Sequence, residues 1–198
     1  MDRRIRYLTH PQVEIDPARD VRDWSLNDVG RARVERLARS GALAGTRTVI
    51  SSAETKARET AGPLAAALDC DVILRPDMHE NDRSATGFLP PPEFERTADR
   101  FFAAPDESVR GWETARDAQA RILREVLTCL AAHPEGDILF VGHGAVGTLL
   151  FCHLAGVAIS RAYDQPAGGG AWFEAGDSQF ERRGARISGW RPMESLLA

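Results

Sequence analysis

Two histidines stand directly after short apolar runs near opposite ends of the chain. His10 follows in Tyr7-Leu8-Thr9-His10-Pro11, and His143 in Ile138-Leu139-Phe140-Val141-Gly142-His143-Gly144. The end of a parallel strand is where open α/β sheets carry their chemistry, so the two imidazoles are candidates for one site. Near neutral pH an imidazole serves as nucleophile, proton carrier or charge stabiliser. A single histidine in such a place is more often a satisfied polar residue; the pair is what points to chemistry.

The elements that must position them alternate. Arg4 to Leu8 reads as a first strand, followed by a Pro- and Asp-punctuated loop from Pro11 to Asp23. Ser25-x-x-Asp28 resembles a capping box opening a helix to about Ser40. Thr46 to Ser51 is a β-branched strand, Glu54 to Leu68 has helical apolar spacing, and Asp71 to Leu74 is a third strand. Met78 to Pro105 is polar, contains Pro90-Pro91-Pro92, and reads as an insertion over the sheet edge where substrate selection sits. Ser108 to Ala132 is a long amphipathic helix, Ile138 to Val141 a fourth strand, and His143 to Leu154 a helix. Trp172-Phe173-Glu174 and Gln179-Phe180-Glu181 alternate around Gly176-Asp177, which predicts a hairpin with an exposed aromatic strand; Trp190 to Ala198 has no readable role. The alternation predicts one domain, a three-layer α/β/α sandwich around a mainly parallel sheet of about six strands.

Bulk properties narrow the function. The chain has 198 residues and a net charge of −4, with a single lysine, Lys56, and dispersed arginines, which argues against a nucleic-acid partner. Cys70, Cys129 and Cys152 are three and widely spaced, as suits a reducing, cytoplasmic setting better than a disulfide framework or a zinc site. The apolar stretch from Ile138 to Ile159 contains His143, His153 and four glycines, which fits strand-turn-helix and not a membrane span. His133 suits a helix end and His153 a core helix.

Read in order, Thr9-His10-Pro11, Trp24-Ser25-Leu26-x-x-x-Gly30, Ser51-Ser52-x-x-x-Lys56-Ala57-Arg58-Glu59-Thr60-Ala61, Glu80, Glu107-Ser108 and Val141-Gly142-His143-Gly144 form a series. It resembles the histidine phosphatase superfamily, with the phosphoglycerate-mutase-like fold, over roughly residues 4 to 182. The resemblance implies cofactor-independent phosphomonoester hydrolysis of a small phosphorylated molecule. It makes His10 the nucleophile, His143 a hydrogen-bond donor to the phosphoryl group, Glu80 the acid that protonates the leaving oxygen and Lys56 a phosphoryl grip. His79 is a second candidate for the acid.

The departures from that family's pattern are specific. Thr9 and Pro11 replace the arginine and glycine of Arg-His-Gly, Asp16 stands where many relatives place asparagine, and Lys56 replaces a second arginine. Threonine offers a hydroxyl and no charge, and lysine lacks the bidentate fork. Arg22 or Arg19, in the loop after His10, could supply the missing charge, whereas Arg6 lies too far along its strand. A weak grip disfavours mutase chemistry and leaves a second class open, an inactive relative that binds an anionic ligand. Gly142-x-Gly144-x-x-Gly147 also matches a dinucleotide fingerprint, but no acidic strand end follows it; backbone N–H groups at Gly144 could still receive an oxyanion. No His-x-His or His-x-x-x-His pair supports a metal site. Oligomeric state, a homodimer included, is open.

Overall fold

The computed structural model describes residues 3–176, 179, 180, 184 and 187–197. Its strands are β1 (Arg4–Thr9), β2 (Thr46–Ser52), β3 (Val72–Arg75), β4 (Asp137–Gly142), β5 (Ala171–Gly176) and β6 (Arg191–Pro192). Its α-helices are α1 (Asp28–Ser40), α2 (Thr55–Ala67), α3 (Pro91–Ala103), α4 (Ala115–Ala132) and α5 (Gly144–Ala155). The sheet order is β3-β2-β4-β1-β5-β6. The first four of these run parallel, and β5 and β6 are added antiparallel.

Alternation along the strands sorts side chains into two cores. Ile138 and Phe140 of β4 join Ile5, Tyr7, Ile50 and Phe173 beneath α3, α4 and α5. Leu139 and Val141 join Leu8, Val49 and Trp172 beneath α1 and α2. Each such large side chain contributes roughly 1.5–3 kcal/mol on burial. Because β1, β2, β3 and β4 are parallel, their C-terminal ends share one edge: Thr9 pairs with Gly142, and Ser52 with Arg75. His10, Glu54, Glu80 and His143 all follow those ends.

Four expectations change. The cap of α1 is Asn27, whose side chain accepts the Gly30 N–H at 2.9 Å; Ser25 instead gives its carbonyl to Glu14. The long helix begins at Ala115, not Ser108, because Arg110 and Gly111 take left-handed angles (φ 57° and 81°). A Cβ on Gly111 would lie 2.8 Å from that of Ala85, so this kink lets Ser108 to Thr114 pack on the loop after Glu80. The hairpin partner of β5 is β6, while Gln179 and Phe180 are helical; Asp177 and Glu181 lie outside the described residues. Trp172 is buried, with the Arg191 guanidinium 3.8 Å above its ring. The tail thereby has a role: Trp190 packs on Phe173 and Tyr7, and Met193 enters the core.

Candidate active site

His10 is fixed by its backbone. Its N–H donates to the Gly142 carbonyl and its own carbonyl accepts from Gly170, each at 3.0 Å. A Cβ on Gly169 would lie 2.4 Å from that carbonyl, so the glycine run passes directly beneath His10. The ring Nδ1 lies 2.9 Å from the Pro11 carbonyl. A carbonyl only accepts, so Nδ1 carries the hydrogen and Nε2 the lone pair. Burial, helped by the Lys56 charge, lowers the His10 pKa to about 4, leaving the ring neutral.

His143 lies 5.3 Å away, ring centre to ring centre, and is fully buried. Its Nε2 is 2.8 Å from the Ser52 hydroxyl and 3.7 Å from Glu54 Oε1. Burial drives its pKa well below the usual histidine value. The Tyr7 hydroxyl clamps the corner, accepting the His143 N–H at 3.1 Å and donating to the His143 carbonyl at 3.3 Å. A Cβ on Gly142 or Gly147 would strike the Tyr7 ring, and one on Gly144 would strike Gln165. The glycine spacing that mimics a dinucleotide motif therefore serves close packing.

Glu80 reaches this corner from the segment after β3. Its carboxylate accepts the Ala145 and Val146 N–H groups at 3.1 and 3.0 Å, and Asn81 N–H at 3.1 Å. It thus occupies the first turn of α5, the place where an incoming oxyanion was expected. Burial raises its pKa, with the α5 amides opposing and the charge of Glu54 assisting. Arg121 holds the segment in place: it donates to the carbonyls of Asp77, His79 and Glu80 and pairs with Glu113 at 2.7 Å. Glu113 in turn accepts the Asp82 N–H.

Glu54, which sequence reasoning passed over, bridges the site. Its carboxylate pairs with Lys56 and accepts the Glu80 N–H at 2.9 Å. Its pKa is about 2: burial would raise it, but the facing His143 imidazole, the Lys56 ammonium and the Glu80 N–H together outweigh that. The Lys56 ammonium also donates to the Val21 carbonyl at 2.7 Å.

The remaining candidates are dispersed. Thr9 is fully buried, its hydroxyl lying 2.5 Å from Gln165 Oε1 and accepting the Ala171 N–H. Arg22 pairs with Asp20 at 2.7 Å and Arg19 with Asp16 at 3.4 Å, in both cases exposed. The Asp16 carboxylate turns to the Ala18 N–H. Arg6 pairs with Glu174. His79 gives its Nδ1 to the Glu80 carbonyl. His133 caps the end of α4, and His153 is half-buried on α5. Among the described residues no cluster of three or more His, Cys, Asp or Glu side chains could hold a metal, and no helix is long and apolar enough to cross a membrane.

A cavity of about 710 Å³ opens beside His10 and His143, which do not themselves line it; its walls include Glu54, Glu80, Asn81, Arg83, Arg22 and Phe88. Asn81 and Arg83 were not foreseen; they sit in a polar stretch with no periodic signal. The sequence profile of the histidine phosphatase superfamily (branch 1) matches residues 10–184. The chain belongs to the histidine phosphatase superfamily. Among solved members of this fold, mycobacterial glucosyl-3-phosphoglycerate phosphatase superposes with a TM-score of 0.79 at 20% identity, over 97% of this chain and 100% of that one. Phosphoserine phosphatase from Entamoeba histolytica, in complex with 3-phosphoglyceric acid, gives 0.76 at 16% identity, over 98% and 99%. YhfR of Bacillus stearothermophilus gives 0.71 at 19%, over 86% and 89%. Among curated proteins no sequence matches the chain. Against its superfamily's Arg-His-Gly, this member presents Thr9-His10-Pro11, with the His10 Nδ1 held on the Pro11 carbonyl.

Proposed function

We propose that this protein hydrolyses small phosphomonoesters through a phosphohistidine on His10. The observation that carries the proposal is the state of that ring. Nδ1 is tied to the Pro11 carbonyl, Nε2 is left with a lone pair, and the ring stays neutral above about pH 4. In the first step Nε2 bonds to phosphorus while the ester P–O bond breaks, and the leaving oxygen takes the proton of the Glu80 carboxyl. In the second, water attacks phosphorus, Glu80 takes back a proton, the P–N bond breaks and phosphate departs. Glu80 Oε2 accepts one amide and retains a lone pair on which that proton rides. With the Ser52 hydroxyl donating to Nε2, His143 would present Nδ1–H to a phosphoryl oxygen. Lys56 adds positive field beside it. The superposed phosphatases of glucosyl-3-phosphoglycerate and phosphoserine support a small phosphorylated substrate. In this reading the chain is one three-layer domain, the 78–105 insertion caps the substrate, and the three free cysteines suit the cytoplasm.

A second reading, a relative that binds an anion without turning it over, is favoured by one observation: Lys56 is already paired with Glu54, and Thr9 is bonded within the protein. Phosphate release from phosphoserine, 3-phosphoglycerate and p-nitrophenyl phosphate, measured for wild type and His10→Ala, separates the two. Hydrolysis predicts wild-type turnover that His10→Ala lacks, with an alkali-stable, acid-labile phosphoenzyme. The acid limb of kcat/KM should fall near pH 4, not near the ordinary histidine value, since the nucleophile is the neutral ring. No release above background from either protein would support the binding module.

A further inference from the structure

We infer that Asn81 and Arg83 form the phosphoryl-binding subsite of this chain, supplying the grip that Thr9 does not provide. The inference rests on the reading of the pocket as a phosphomonoester site. Among the described residues, four buried side-chain nitrogens lack a hydrogen-bond partner: Asn81 Nδ2, Arg83 Nε, His143 Nδ1 and Arg6 Nη1. The last belongs to a residue paired with Glu174, while the first two line the cavity and the third belongs to the His143 ring beside His10. A buried donor without a partner costs about 1–3 kcal/mol, so each calls for a ligand in the working protein. Amide and guanidinium N–H groups are donors only, and donors converging on one cavity call for an acceptor-rich anion.

The other cations near the cavity are committed or exposed. Lys56 is held by Glu54 and Val21, Arg22 by Asp20, Arg19 by Asp16, and Arg121 by Glu113, while Arg58 lies in solvent. Arg83 is instead set by its surroundings without being neutralised. Its guanidinium carbon lies 5.0 Å from the centre of the Phe94 ring, and its carbonyl accepts the Thr86 and Gly87 N–H groups in a tight turn. Thr86 is braced by the Trp112 indole at 2.8 Å. Arg83 lies three residues after Glu80, so one short segment delivers both the proton donor and the anion grip. Its charge reaches both His10 and Glu80.

Orthovanadate and inorganic phosphate binding by calorimetry, together with turnover of p-nitrophenyl phosphate, tests this. Arg83→Met keeps an apolar stem on Phe94 and removes the donors; Arg83→Lys restores charge without the fork. Arg83→Met should weaken vanadate binding about 100-fold and lower kcat/KM by roughly 10²–10³, with Arg83→Lys recovering part of both. Asn81→Ala should lose about tenfold. Wild-type turnover with Arg83→Met unchanged in both measurements would overturn the subsite and leave the hydrolase reading intact. Vanadate binding that depends on Arg83, without phosphate release, would support the subsite and overturn the hydrolase reading. A wild type that binds neither anion overturns both. If Arg83→Met does not fold, Arg83→Lys decides by the same two measurements.

Discussion

On the α2 side of the site, Lys56 is 5% exposed and already engaged twice, donating to the Glu54 carboxylate and the Val21 carbonyl. On the side built by the segment after β3, Arg83 and Asn81 carry buried nitrogens with no partner. Both sides present positive or donor groups, and both follow strand ends at the same sheet edge. They differ in satisfaction. The α2 side is an ion pair already formed within the protein, and the Arg83 side is a set of donors without a partner. A residue matching the family motif by position, Lys56, is thus less available than a residue outside the motif. Position in a motif identifies where charge can sit, while the hydrogen-bond inventory shows which charge is free to act.

The comparison breaks most sharply at Arg121. This residue is buried, ties three backbone carbonyls of the Asp77–Glu80 stretch, and neutralises Glu113. Replacing it with Met leaves a largely buried carboxylate and three carbonyls without their donor. We expect Arg121→Met to cost about 3 kcal/mol, a fall in Tm of roughly 6–12 °C, with kcat dropping as Glu80 and Arg83 lose their common support. Thermal denaturation followed by circular dichroism reads the first effect. A Tm within two degrees of wild type, to the precision of roughly 2–4 °C per kcal/mol, would mean that the Trp112–Thr86 brace alone holds that side.

Glu54 sharpens the contrast from the other direction. It is ionised and sits between Lys56 and His143, where it opposes any anion in the cavity. Glu54→Gln should free the Lys56 charge and tighten vanadate binding by about tenfold, roughly 1.4 kcal/mol, while lowering stability because a buried ammonium loses its counter-charge. The same carboxylate fixes a pH dependence. Its folded pKa lies below its unfolded value, so its stabilisation is present above about pH 4.5 and lost as pH falls towards 2. His10 acts in the same direction. Held neutral in the folded protein, it binds fewer protons than in the unfolded chain between about pH 4 and 6.5, so stability declines with falling pH across that window. Urea denaturation at stepped pH should show both slopes in wild type and, in Glu54→Gln, the upper one with a shallower acid slope, to which Asp20 and Glu194 still contribute. Vanadate binding that weakens in Glu54→Gln would instead make the carboxylate a positioning group for Lys56 and His143.

Local sequence made the sheet edge readable, because apolar runs ending at Thr9 and Gly142 announce two parallel strands and deliver two histidines to one place. It was silent on the groups that bind these histidines. The acceptor that sets the His10 tautomer is the backbone carbonyl of residue 11, a group that every residue carries and that no motif therefore encodes. Glu54 sits at a position the motif leaves unspecified, and its meaning comes from Lys56, His143 and Glu80 together. The kink at Arg110 and Gly111 is hidden inside a continuous helical pattern because the partners of that segment, Asp82 and Thr86, are long-range. Likewise the alternation in β5 is correct as a strand, but its partner β6 arrives fifteen residues or more beyond, where no turn signal points to it.

The smallest expected effect belongs to Arg22, the residue that charge and proximity first nominated as a replacement for the missing arginine. Its guanidinium is bonded to Asp20 through both Nε and Nη2, and both side chains stand largely in water. A charge so paired and so exposed is screened within about 8–10 Å at ordinary salt, so its field at His10 is weak. Arg22→Ala should therefore change kcat/KM and vanadate affinity less than threefold, against about 100-fold for Arg83→Met, when both are measured in the same buffer near 0.15 M salt. Raising the salt should shrink the Arg22 effect further and leave most of the Arg83 effect, because a buried donor acts by direct contact. An Arg22→Ala loss comparable to that of Arg83→Met would show that the loop after His10 exchanges Asp20 for the ligand, and that the satisfied and unsatisfied sides of the cavity trade roles once an anion enters.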